Sequence, residues 1–182
     1  MKTLRNIHAI LFVILALFCS SCGQAPAKLP EIPLERVTPY FSEAAEVTTI
    51  DTSFYQVRDA NGELIGSLLF SMPFTEEVKG YNGNTPLLIV LDAEDHIKNV
   101  ILLSNKETPR FAERVVNAGL YQSWDGLTVE EALGKQVDAV SGATYTSESV
   151  KNTLAVRLKV YQRQLKEDHN DKPSFWKRLL GI

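Results

Sequence analysis

The segment Asp138–Thr146, DAVSGATYT, places hydroxyl-bearing side chains and a glycine immediately before a long helical pattern. The first turn of a helix has backbone N–H groups without intrahelical partners and carries the positive end of the helix dipole, so it can bind a phosphate. Ser141, Thr144 and Thr146 supply hydroxyl groups, and Gly142 permits an unusual φ angle and a close approach of the backbone to a ligand. Serine and threonine are also common helix caps. These residues therefore indicate either an ordinary capped helix or a phosphate-binding site.

The same segment contains a longer pattern, Asp138-x-x-Ser141-Gly142-Ala143-Thr144, which resembles the flavinylation motif of the FMN-binding domain family. This family includes the G subunit of the Rnf complex and the C subunit of the sodium-pumping NADH:quinone reductase. The resemblance implies that Thr144 is joined to the phosphate of FMN as a phosphoester, and that a dedicated flavin transferase makes the bond. It also implies that the transferase reads Asp138 during attachment. Taken alone, Asp138 would be an acceptor in a local turn or cap.

Two further segments resemble the family, and the resemblance covers about residues 50 to 165. Gly80-Tyr81 stands before a strand pattern, like the glycine–tyrosine segment of the family. Glu107-Thr108-Pro109 follows the next strand, like its Glu-Thr-Pro turn. The family often has a glycine after this proline, whereas Arg110-Phe111 follows here. Without the resemblance, Gly80-Tyr81 would equally indicate a turn and a core tyrosine, and Glu107 would indicate a solvated turn residue.

The resemblance implies a role for each of these positions. Backbone N–H groups at the helix start would neutralise the phosphate, while Ser141 and Thr146 would hydrogen-bond phosphate or ribityl oxygens. Tyr81 and Tyr145 would pack near the isoalloxazine ring, and the Glu107–Thr108 turn would meet a polar edge of the ring. The implied cofactor-binding residues are Gly80, Tyr81, Glu107, Thr108, Ser141, Gly142, Ala143, Thr144, Tyr145 and Thr146.

Two strand pairs are predicted in the first half of the chain. Asn61-Gly62 is a strong hairpin turn signal within the first pair, and the polar turn Asp92–Asp95 joins the second pair. The predicted strands are Phe54–Val57, Leu64–Phe70, Thr85–Leu91 and Ile97–Leu103, with a brief additional strand at Val137–Val140.

Helical patterns account for the remaining segments. Leu34–Val47 has helical spacing around Pro39, which predicts a broken or late-starting helix. Pro109 opens a short helix that ends before Gly119. Thr128–Leu133 adds one or two helical turns.

A long amphipathic helix is predicted from Ser147 onward. Its apolar positions repeat at spacings of four and three, and they are Val150, Leu154, Leu158, Tyr161 and Leu165. The early strands have no crossover helices between them, which disfavours a parallel sheet. The sequence therefore predicts an α+β fold with a mainly antiparallel sheet and a long C-terminal helix that follows the attachment segment.

The first 22 residues have the layout of an export signal. A basic start, an almost entirely apolar run from Ile7 to Cys19, and small residues before Cys22 resemble a bacterial lipoprotein signal, in which the cysteine is lipidated. The apolar run is shorter than the roughly 20 residues that span a bilayer. An uncleaved signal anchor is the alternative, and both interpretations place the domain outside the cytoplasmic membrane.

The predicted organisation has four parts: a lipoprotein signal at 1–22, a tether at 23–32, an FMN-binding domain at 33–168 and a C-terminal tail at 169–182. The tail is aromatic, basic and apolar. It is suited to a membrane surface, where tryptophan and basic residues are favoured, and equally to packing on its own domain or on a partner.

Composition excludes several function classes. Cleavage before Cys22 removes Lys2 and Arg5 and leaves 17 basic against 22 acidic side chains, a net charge of −5, so no nucleic-acid partner is expected. The mature chain would keep one cysteine, the lipidated Cys22, and two histidines. No His/Cys metal site and no thiol nucleophile are therefore predicted.

These observations together predict an extracytoplasmic electron-transfer flavoprotein that carries FMN on Thr144. Electrons would pass to or from a membrane redox partner, and a lipid anchor would hold the domain at the membrane. A phosphoester leaves the isoalloxazine unaltered, so the protein would set its potential through hydrogen bonds and burial. Two alternatives remain: a lipoprotein that binds FMN non-covalently or serves as an accessory subunit of a membrane complex, and an enzyme whose reductase activity requires a partner.

Overall fold

The computed structural model describes residues 31–169, and the side chains up to residue 166. The predicted signal with Cys22, most of the predicted tether and the tail beyond His169 lie outside the described residues. Five strands form one sheet in the order β1-β2-β3-β4-β5, with every neighbouring pair antiparallel. The strands are β1 (Glu46–Asp51), β2 (Phe54–Arg58), β3 (Leu64–Phe70), β4 (Leu87–Asp92) and β5 (Ile97–Leu102).

Three α-helices follow the sheet in sequence, and they are α1 (Pro109–Asn117), α2 (Val129–Gly134) and α3 (Thr144–His169). Two short 3-10 helices, Leu34–Arg36 and Tyr121–Trp124, lie outside these elements. This order confirms the predicted α+β fold with a long C-terminal helix. Among the described helices, none has the length and apolar character needed to cross a membrane.

Both faces of the sheet are buried, because neighbouring residues of a strand point to opposite sides. On one side of β4, Ile89 joins the core that the helices cover. On the other side, Leu88 and Val90 pack with Val37 and Phe41 from the segment before β1. The sheet therefore lies between α3 with its neighbouring helices and the N-terminal segment.

A buried polar stripe on α3 complements its apolar stripe. Thr146, Ser149, Thr153 and Arg157 are each at most 1% exposed. Arg157 Nε donates to the carbonyl of Phe70 at 2.8 Å. Burial lowers the pKa of Arg157 to about 10, so its guanidinium is still charged at neutral pH. The bond from Arg157 ties the middle of α3 to the end of β3 and helps to fix the helix against the sheet.

The N-terminal segment differs from its prediction. Leu34–Val47 does not form a helix: only Leu34–Arg36 makes a 3-10 turn, and Glu46 and Val47 already belong to β1. Pro39 has no N–H to donate, so regular helical bonding cannot continue through it. Val37 and Phe41 lie one isolated helical turn apart, since the Phe41 N–H donates to the Val37 carbonyl at 3.1 Å, and both side chains are buried against the sheet.

The segment before α3 also differs from its prediction. Val137–Val140 forms no strand, because the Val140 N–H donates to Ser147 Oγ at 3.0 Å instead of to a neighbouring strand. The long helix begins at Thr144, three residues before the predicted start at Ser147. Thr144 is therefore part of the helix itself.

Candidate functional site

The turn before α3 brings the backbone into an unusual conformation. Gly142 has a φ of +75°, a value that favours glycine. A Cβ at this position would also collide with the guanidinium of Arg114, which lies against the turn. The Ala143 N–H donates to the Val140 carbonyl at 2.9 Å and closes the turn. The φ angle is thus the main reason for glycine at residue 142, and any side chain there would also push the Arg114 guanidinium aside.

The hydroxyl groups around the helix start divide into exposed and buried ones. Ser141 and Thr144 are exposed. Thr146 is fully buried, and its Oγ1 donates to Glu107 Oε2 at 2.9 Å. Ser147 is also fully buried, and its hydroxyl bonds to the carbonyl of Ala143 at 3.0 Å. Only Ser141 and Thr144 can therefore contact a ligand without unfolding the first turn of α3.

Glu107 joins three segments of the chain. Its side chain is 6% exposed, and its Oε1 accepts the N–H of Asn82 at 2.9 Å while its Oε2 accepts from Thr146. A Cβ on Gly80 would collide with Oε1, so the carboxylate needs the glycine at that position. The carboxylate faces inward and fixes the loop before β4 to the first turn of α3.

Tyr121 has a buried hydroxyl without a hydrogen-bond partner among the described residues. The residue is 5% exposed. Burial, together with the nearby charge of Glu107, raises the pKa of Tyr121 to about 12, so the hydroxyl keeps its proton at neutral pH. A buried donor of this kind usually has a partner, so Tyr121 Oη is a group that a ligand or water can satisfy.

The loop between β3 and β4 carries Tyr81 to the surface. Asn84 organises this loop, because its Nδ2 donates to the carbonyls of Val78 at 3.0 Å and Thr75 at 3.1 Å. Tyr81 is 61% exposed, and its ring meets that of Phe111 edge to face with 4.9 Å between centroids.

A second exposed tyrosine lies on α3 next to Thr144. Tyr145 is 73% exposed. An aromatic face that is open to solvent is free to stack against the planar ring system of a ligand. Tyr145, Tyr81 and Phe111 therefore offer aromatic surface to a ligand attached at the helix start.

A separate cluster of metal-binding types, Asp92, Glu94 and His96, lies in the turn between β4 and β5, with its ligand atoms within 4.8 Å of one another. Asp92 Oδ1 accepts the N–H groups of Glu94 at 3.0 Å and His96 at 2.8 Å. These bonds close the turn and give a structural reason for an aspartate at residue 92.

Comparison with known families identifies the domain that contains these residues. Residues 80–159 match the model of the FMN-binding domain. Residues 80–159 belong to the FMN-binding domain family. A comparison with curated proteins gave no match. The matched range starts at Gly80, ends within α3 and contains all ten predicted cofactor-binding residues, so FMN is the supported cofactor of this domain.

The FMN-binding domain brings most of its predicted site residues to one region. Gly80, Glu107 and Thr146 are joined by direct contacts through the Glu107 carboxylate. Thr108 lies at the start of α1 without a side-chain capping bond. Asp138 is exposed in the segment before the turn.

Two residues near this site were missed in the sequence, namely Arg114 and Tyr121. Neither belongs to the motif, and each is brought to the site by the packing of α1 and its following turn. A helical arginine and a tyrosine in an irregular segment have no local pattern that marks them as ligand-binding residues.

The residues at the helix start fit an FMN phosphate. An exposed hydroxyl stands at the first residue of a 26-residue helix, where a negative charge is stabilised. The glycine turn beside it has no side chain of its own, and the guanidinium of Arg114 lies against it.

Proposed function

We propose that this FMN-binding domain carries FMN covalently on Thr144 and acts as an electron-transfer flavoprotein outside the cytoplasmic membrane. The observation that carries the proposal is the contrast between two threonines. Thr144 is exposed at the first residue of α3, whereas Thr146 is buried with its hydroxyl on Glu107. The motif threonine is therefore the one that a phosphorus centre can approach.

The attachment step needs an activated flavin nucleotide and a flavin transferase. Thr144 Oγ1 gives its proton to a base of the transferase and forms a bond to the flavin phosphorus. The phosphorus–oxygen bond to the leaving group breaks, and the leaving group keeps that electron pair. The product has the atoms of the protein plus FMN less one water. The phosphodiester retains one negative charge, which the N–H groups and dipole at the start of α3 stabilise.

The attached FMN would supply one- and two-electron transfer through its isoalloxazine ring. The protein residues position that ring and set its surroundings. Tyr81 and Tyr145 offer exposed aromatic faces, and Phe111 supports Tyr81 by its edge-to-face contact. Among the described residues of the site, we find no nucleophile or acid–base pair placed to act on a separate substrate. The proposed role is a carrier that exchanges electrons with a membrane redox partner.

Flavin fluorescence on a denaturing gel separates covalent from non-covalent FMN. The protein is produced together with an active flavin transferase, exported and then fully unfolded in detergent. A fluorescent band at the mass of the chain is expected, because unfolding cannot release a phosphoester. If the protein holds flavin before unfolding but its band shows no fluorescence, the result would favour a lipoprotein that binds FMN non-covalently.

The proposed location depends on Cys22, which lies outside the described residues. We propose that Cys22 carries lipid and anchors the domain, since small residues and a short apolar run precede it. Cys22→Ser is expected to release the domain from membranes or to block its processing, as fractionation and intact mass would show. Unchanged mass and unchanged membrane association would contradict the anchor.

A further inference from the structure

Arg114 has an unusual position for a surface arginine. Its Nη1 lies against the turn before α3 and donates to the Ser141 carbonyl at a long 3.4 Å. A Cβ at Gly142 would occupy the space of this guanidinium. The guanidinium thus lies beside the turn that leads directly into Thr144.

The charge of Arg114 faces solvent and has no carboxylate partner among the described residues. The positive end of the α3 dipole repels a cation. The last turn of α1 does favour a cation on that helix. That preference accounts for a basic residue at 114 but not for a guanidinium directed at the start of another helix. An anion beside Thr144 would resolve the repulsion.

We propose that Arg114 binds the phosphate group through which FMN is attached to Thr144. This inference rests on the proposed function, because it concerns the same attachment. A guanidinium presents several N–H donors in a planar fork that matches phosphate oxygens, and one weak bond to Ser141 leaves most of them available. The substitution of any side chain for Gly142 would displace this group as well as strain the turn.

A bound phosphate has a consequence for the flavin. The phosphodiester and the ribityl chain contain many rotatable bonds between Thr144 and the ring. Fixing the phosphate against Arg114 and the helix start removes the freedom of the first of these bonds. The ring then samples fewer positions, which favours a constant distance to a redox partner. Arg114 is therefore a positioning residue for the attached cofactor.

The test compares four chains made with the same transferase: the unaltered protein, Arg114→Gln, Arg114→Lys and Arg163→Gln. Arg163 is exposed on α3, two residues past the buried Tyr161, and its replacement changes the net charge equally. Two quantities are measured, the flavinylated fraction at a fixed early time by intact mass and the ³¹P line width of the loaded protein. Arg114 is exposed, so its variants should fold, and thermal unfolding of the unloaded chains checks this.

Arg114→Gln is expected to lower the early flavinylated fraction by about fivefold and to narrow the ³¹P line, because the phosphodiester moves more freely. Arg114→Lys keeps the charge but loses the planar arrangement of donors. Its flavinylated fraction and ³¹P line width should lie between those of the unaltered protein and those of Arg114→Gln. Arg163→Gln should match the unaltered protein. If Arg114→Gln and Arg163→Gln give the same flavinylated fraction and the same ³¹P line width, the inference is overturned. A slower reaction with an unchanged ³¹P line would also overturn it, because Arg114 would then serve the transferase alone. An unaltered protein without any adduct would instead refute the proposed function.

Discussion

Thr144→Ala is expected to abolish the flavin adduct completely, because no oxygen remains at the helix start to bond the phosphorus. The substitution removes an exposed side chain, so the fold should be kept. Intact mass of the exported protein measures the result: the unaltered chain gains one FMN less one water, and Thr144→Ala gains nothing. Thr144→Ser is expected to retain part of the adduct, since it keeps a hydroxyl but loses the methyl group that restricts its rotamer.

Thr146→Ala is the matched control for this result. Its hydroxyl is buried on Glu107, so its loss leaves one carboxylate oxygen without a donor and should cost about 1–3 kcal/mol in the free energy of unfolding. The adduct should nevertheless form at the normal mass. An adduct that disappears in Thr146→Ala and persists in Thr144→Ala would show that FMN is attached to Thr146, which would contradict the proposed attachment at Thr144.

Glu107→Ala should produce the largest loss of stability among the site variants. It removes the acceptor of both the Asn82 N–H and the Thr146 hydroxyl and leaves a small cavity between the loop and α3. We expect a decrease of about 3 kcal/mol in the free energy of unfolding, measured by denaturant unfolding of the unloaded protein. The first turn of α3 should loosen at the same time, which would slow flavinylation.

Glu107→Gln is the conservative partner of that variant. Glutamine keeps the shape and one carbonyl acceptor, and the Thr146 hydroxyl can reverse its role and accept from the new amide. A loss of about 1 kcal/mol is expected in the same denaturant measurement. Equal and small losses in both variants would mean that the buried carboxylate does not hold the loop to α3, contrary to the role given to it here.

The parts of the fold that could be predicted from the sequence are those fixed by local signals. The Asn61-Gly62 turn, with Gly62 at a φ of +81°, determines the β2–β3 hairpin. Pro109 likewise starts α1 where expected, and Gly119, at a φ of +70°, ends the turn after it. At each of these positions a single residue type decides the backbone conformation.

The errors arise where a pattern has two physical explanations. Val37 and Phe41 are spaced like one helix face, and they do share a single turn, but no helix continues from it. β1 was missed because its residues are mostly half-buried and its assignment depends on pairing with β2. The short apolar run Val137–Val140 resembles a strand, yet its N–H at Val140 is taken by a serine of α3.

The candidate site divides in the same way. Thr144, Ser141 and Gly142 could be identified because they form one contiguous motif before a helix. The inward direction of the Glu107 side chain could not be predicted, because it depends on Asn82 and Thr146, which are distant in sequence. The nearness of Arg114 and Tyr121 likewise depends on how α1 packs against α3.

Localising the adduct within the sequence tests the central claim most directly. The exported, flavinylated protein is digested, and the peptide that contains Asp138–Thr146 is fragmented by a mild method in a mass spectrometer. The account predicts that the added mass of FMN less one water lies on Thr144, with Ser141 and Thr146 unmodified. An adduct on another residue, or no adduct when the same transferase modifies a control protein, would contradict it.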